Sequence, residues 1–176
     1  MIRAFVVARH IAACRARDVT GSAGLNAAAT HTVAMPVVPS ILFVIVDAAE
    51  VDRWFRDYLD VFAACGRGES EAASLLAYYG VPLLLSTDDG FVALTTDDAV
   101  LSMAQRQVDG MRVADYGHSD VLDLEISPLN SVSALCRGKF SRRRRDEREI
   151  ARLTATYLVT GARASRRISA LVVHSF

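Results

Sequence analysis

The sequence predicts an α+β domain in which helices come first and an antiparallel sheet comes last. Three observations carry this reading. Apolar residues from Val51 to Phe62 recur at helical spacing, whereas those after Gly117 alternate, so the period changes from 3.6 to 2 along the chain. Asp89-Gly90 between two apolar runs is a hairpin signal, with positive φ available at Gly90. Four alternating segments then follow with short turns between them, a meander whose apolar face the helices must cover.

Taken in order, Asp47 with Glu50 three residues on forms a capping-box-like start, and Val51, Trp54, Phe55, Tyr58, Leu59 and Phe62 make the apolar stripe of a first helix that Gly66 ends. A short helix from about Ser70 to Ala77 follows, with Gly80 suited to a left-handed cap and Pro82 blocking continuation. The stretch PLLLSTDDGFVALT reads as two strands. Thr96 then caps a long helix, Asp97 and Asp98 favour its positive end, and Val100, Met103, Ala104, Val108 and Met111 line one side. Gly117 ends it. Strands are expected over His118–Ser127, Val132–Arg143, Ile150–Thr160 and Arg167–Ser175. Alternation places Leu122, Leu124 and Ile126 on one face, with Val132, Ala134, Cys136 and Phe140, and Ile168, Ala170 and Val172, forming the corresponding faces of later strands.

At 176 residues and 52% hydrophobic content the chain suits one domain with a sizeable core. The patterned domain covers residues 35–176. Residues 1–34, rich in Ala, Thr and Arg, read as a poorly ordered leader, or as an over-extended start upstream of Met35. The formal net charge of zero conceals a split: residues 1–35 carry +3, residues 36–130 carry −11 and residues 131–176 carry +8. This fits acidic helices lying against a basic sheet. The apolar run Val37–Val46 is far shorter than the ~20 residues that span a bilayer, and no secretory signal is evident, so a cytoplasmic protein is expected. Cys14, Cys65 and Cys136 have no metal-ligand spacing. No metal and no cofactor are expected.

The helix WFRDYLDVFAACGRG, the segment LLAYYGVP, the run DDGFVALTTDDAV and the closing RRISALVVHS resemble the nuclear transport factor 2-like superfamily, which includes SnoaL-like cyclases and ketosteroid isomerases. The resemblance covers about Asp47 to Phe176. It implies a cone-shaped, curved antiparallel sheet wrapped by three N-terminal helices, enclosing a conical pocket that serves enzymes and binding proteins alike. Relatives of the isomerase type use a tyrosine on the first helix and a carboxylate on the first strand. Tyr58 matches the tyrosine, but the strand reads Leu83, Leu84, Leu85, Ser86 and offers no carboxylate, which counts against an isomerase.

The candidate catalytic set is therefore His118 and Asp120, placed by strict alternation on the pocket face with Leu122, together with Tyr58 as hydrogen-bond donor. The expected ligand-binding residues are Trp54, Tyr58, Leu84, Met103, Met111, Tyr116 and His118, a lining suited to a small apolar molecule. The alternatives are a SnoaL-like enzyme of cyclase, dehydratase or isomerase type, and a non-enzymatic interaction module. A homodimer is expected through the outer face of the sheet, offering Thr154, Thr156, Leu158, Leu171 and Val173. The run Arg142–Arg145 reads as a solvated hairpin tip. Nucleic-acid binding is disfavoured, because Phe140 is the only aromatic residue in that stretch.

Overall fold

The computed structural model describes residues 46–174; the expectation about residues 1–34 lies outside them. Helix α1 (Ala48–Arg67) begins at Asp47, whose carboxylate accepts the Ala49 N–H at 2.9 Å. It ends two residues later than the sequence implied. Gly66 stays helical and is buried, because an added Cβ there would stand 2.3 Å from Met111 Cε and 2.8 Å from Tyr116 Cδ1. Gly68, at φ 79°, supplies the left-handed cap and donates to the Cys65 carbonyl, while Glu69 N–H reaches Ala64. Gly66 thus serves close packing and Gly68 the turn.

A 3₁₀ turn over Ala72–Ala77 leads directly into β1 (Tyr79–Thr87), with a cis peptide at Val81–Pro82. Gly80 therefore belongs to the strand. The Asp89-Gly90 turn connects to β2 (Gly90–Leu94), and Gly90 adopts φ 132°. Helix α2 (Asp97–Val113) is capped by Thr96, whose hydroxyl accepts the Ala99 N–H at 3.2 Å. It ends at Val113, before Gly117, and the chain reverses through Asp115 at φ 57°.

Strands β3 (Tyr116–Asn130), β4 (Ser133–Arg144), β5 (Glu149–Thr160) and β6 (Arg167–His174) form the meander. The six-stranded sheet has the order β2-β1-β6-β5-β4-β3. One contact in it is not a meander contact: β6 lies parallel to β1, pairing Leu85 with Leu171. This joins the N-terminal hairpin to the meander. The curled sheet and its three covering helical segments make the cone expected from the sequence.

Its core gathers residues of the α1 and α2 stripes, such as Phe55, Val100 and Val108, against Leu83, Cys136 and Ile168, each 0% exposed. Because directly paired residues share a face, the register identifies the two faces of the sheet. Ala134, Cys136, Gly138, Phe140 and Arg142 on β4 face inward with Val159, Tyr157, Ala155, Leu153 and Ala151 on β5.

On β3 the alternation is broken three times. Gly117, Leu122 and Leu129 are extra residues between consecutive pairs with β4, each a bulge that reverses which side later residues face. The inward set is consequently Tyr116, Ser119, Val121, Leu124 and Ile126, and Leu122 is 52% exposed. Ser169 is a similar extra residue on β6, so Ile168 faces inward and Ala170 and Val172 outward. Leu171 and Val173, expected on the outer face, turn inward with it.

Candidate functional site

Inside the cone is a cavity of about 320 Å³, walled by α1 and by β3, β4, β5 and β6. Helical spacing brings Tyr58, Leu59, Phe62 and Ala63 to it from α1, and inward alternation brings Phe140, Leu153, Ala155, Tyr157 and Leu171 from the sheet. A knot of tyrosines forms part of this wall. The Tyr58 and Tyr79 hydroxyls are 2.9 Å apart, and the Tyr157 ring meets Tyr58 edge-on at 6.0 Å. Burial raises the pKa of all three phenols, Tyr79 to about 12. Each is a neutral hydrogen-bonding group at any physiological pH.

Arg142 also faces the cavity. It pairs across the strands with Ser119 and Ala151, and its guanidinium carbon lies 5.7 Å from the centroid of the Phe62 ring. Its positive charge acts to lower the pKa of Tyr58, Tyr79, Tyr116 and Tyr157 against the larger effect of burial. Next to it the Tyr116 hydroxyl and Ser119 Oγ are 2.9 Å apart, an i to i+3 contact created by the bulge at Gly117.

The residues picked from sequence divide accordingly. Tyr58 and Tyr116 line the cavity. His118 borders it, but the bulge puts His118 and Asp120 on the opposite face from Ser119, correcting the inward orientation that strict alternation predicted. His118 Nε2 is 3.4 Å from Asp120 and 3.7 Å from Glu147, while Asp120 accepts from Arg143 Nε, which holds its carboxyl below the usual carboxylate range.

Leu84 points outward and is 38% exposed, since its neighbours Leu83 and Leu85 take the core side. Met103 and Met111 are buried core residues on α2 rather than cavity lining. Trp54 packs on Tyr78 at 5.6 Å beside a separate surface groove with Arg53, Arg163 and Arg166. Sequence reasoning missed Arg142, Phe140 and Tyr157 as cavity residues. The signal for Arg142 was present: continuing the inward series Ala134, Cys136, Phe140 by two reaches it.

The arginine run is accordingly not all tip. Arg142, Arg143 and Arg144 are half-buried within β4, and the turn itself begins at Arg145. Around it Arg145 pairs with Asp115, Arg148 with Asp146 and Arg143 with Asp120.

A curled six-stranded sheet covered by three helical segments defines a protein of the NTF2-like class. Residues 49–176 match the family model described as NTF2-like protein (DUF6841), and the chain belongs to that family. Solved structures show the same fold at low identity. An NTF2-like protein of unknown function from Shewanella oneidensis is 15% identical over 72% of this chain and 98% of its own, with a TM-score of 0.54. An NTF2-like protein with a cystatin-like fold from Novosphingobium aromaticivorans is 11% identical over 72% of this chain and 80% of its own, at 0.55. Yeast UBP3-associated protein BRE5 is 11% identical over 70% of this chain and 92% of its own, at 0.54. No curated protein matches the chain in sequence. Among the described residues no helix is long and apolar enough to cross a membrane.

Proposed function

We propose that this NTF2-like protein binds a small, ring-bearing, largely apolar molecule within its cone. The observation that carries the reading is the open cavity of about 320 Å³ between Phe62, Phe140, Tyr157 and Leu153, a volume at the lower end of the roughly 300–1,000 Å³ of small-molecule sites. The rings of Tyr58, Phe62, Phe140 and Tyr157 among the lining favour a flat apolar body. The test uses the neutral dye N-phenyl-1-naphthylamine, whose fluorescence rises in apolar surroundings. Saturable binding of one dye per chain is expected, strongly weakened by Leu153→Trp, which fills the cavity. A folded wild-type protein that binds no dye, or a folded Leu153→Trp protein that binds it undiminished, overturns the reading.

The protein works in this reading as a homodimer formed through the outer face of the sheet. There Phe91 of β2 and Val172 of β6 flank Ser86 of β1, with Leu84 two residues along the same face of β1, and Leu84, Phe91 and Val172 are 38%, 61% and 39% exposed. Sedimentation of a monomer at micromolar concentration overturns that part, and Val172→Asp is expected to dissociate the dimer. The two described cysteines, Cys65 and Cys136, are free thiols and fit a reducing, cytoplasmic setting.

A catalytic reading of the SnoaL-like type rests on Tyr58, a cavity-facing neutral phenol already oriented by Tyr79. Its base would be His118, which requires the imidazole to leave Asp120 for the cavity rim. Wild-type ligand turnover by His118→Ala would remove it from that role.

A further inference from the structure

We propose that the ligand of the cavity is an anion, a small aromatic carboxylate whose carboxylate is held by Arg142, Ser119 and Tyr116; this rests on the binding role proposed above. The first argument is charge balance. Two other arginines line the cavity, and each has a carboxylate of its own: Arg56 lies 2.8 Å from Asp52 and Arg67 2.6 Å from Glu69. Arg142 has none among the described residues; its guanidinium lies over the Phe62 ring. The acidic residue that lines the same cavity, Asp60, is exposed and forms no ion pair with it.

The second argument is placement. Arg142 is half-buried on the cavity side of β4, among the rings of Phe62, Phe140 and Tyr157 and the side chain of Leu153. A half-desolvated guanidinium gains more from an anion than one in bulk water, and its planar fork matches a carboxylate with two parallel bonds. The third argument is the company it keeps. Ser119 is its direct cross-strand partner and Tyr116 holds the Ser119 hydroxyl at 2.9 Å, so two neutral hydroxyls flank the cation. One hydroxyl can satisfy the other and still leave a donor for a carboxylate oxygen. A charged head at this end and rings along the rest of the wall specify an amphiphilic acid with a flat body.

The experiment compares 2-naphthoate with its neutral isostere 2-naphthamide by titration calorimetry, using the full chain. Wild type is expected to prefer naphthoate by tenfold or more, as a charge-assisted bond implies. Arg142→Gln is expected to abolish that preference while retaining naphthamide binding, Arg142→Lys to retain part of it, and Ser119→Ala to weaken naphthoate several-fold with naphthamide unchanged. Naphthamide binding as tight as naphthoate in wild type, or a preference that survives in Arg142→Gln, overturns this inference and leaves the cavity reading standing. Binding of neither compound overturns both. Thermal unfolding of each variant establishes that it is folded, and the naphthamide affinity is the internal control.

Discussion

Replacing Tyr79 by phenylalanine should have opposite consequences at neutral and at alkaline pH. At pH 7 the variant loses the Tyr58–Tyr79 hydrogen bond of 2.9 Å and leaves the Tyr58 hydroxyl, in a residue 2% exposed, without that partner. A buried neutral bond of this kind is worth about 1 kcal/mol, so the wild type should be the more stable by that amount.

Alkali reverses this. Burial pushes the Tyr79 phenol from an ordinary 10.0 to about 12, so the folded protein keeps a proton that the unfolded chain releases. Stability is then fully present below pH 10 and falls between 10 and about 12, by about 1.4 kcal/mol per pH unit. By pH 11 the wild type has lost about 1.4 kcal/mol through this group, and the variant has lost nothing through it. The two stabilities should meet between about pH 10 and 11 and be reversed by pH 11. Urea unfolding followed by far-ultraviolet circular dichroism from pH 7 to 11 measures the difference, and Tyr58 and Tyr157 remain in both proteins. A gap that stays constant or widens over that range would refute the reasoning.

Gly138→Ala should destabilise the protein by about 2 kcal/mol in urea unfolding, because the new Cβ would stand 2.2 Å from Cζ of Phe140, forcing its ring off the glycine and out of the cavity wall. Thr96→Ala should cost about 1 kcal/mol by removing the hydroxyl that accepts the Ala99 N–H, and Thr96→Ser should restore most of it in the same assay. Cys65 and Cys136, both 0% exposed, should resist iodoacetamide in the native protein and react in urea, as read by peptide mass; burial raises both thiols, Cys136 to about 12, so little thiolate forms near neutral pH.

The helices and the Asp89-Gly90 hairpin were legible because their signals are local. A stripe at 3.6-residue spacing, a capping threonine and a turn glycine each act within a few residues. The inward face of β3 was not, because Gly117 and Leu122 enter the strand as unpaired residues and no residue type announces the change of side. This moved His118 and Asp120 from the predicted cavity face to the other. Leu84 was misplaced for a related reason: in LLL every residue is apolar, so composition does not say which two face the core. Arg142 was masked by its neighbours, since four consecutive arginines read as a charge run, although the alternation of the strand already turned one of them inward.

The parallel pairing of β1 with β6 has a consequence during synthesis. Leu85 must wait for Leu171, and at roughly 5–20 residues per second the ribosome takes about 4 to 17 s to make the intervening chain. Throughout that interval the nascent β1–β2 hairpin presents a bare apolar strand edge with no partner from its own chain. The late strand is therefore what ends the exposure, and a chaperone able to shield the β1 edge would act before translation reaches Arg167.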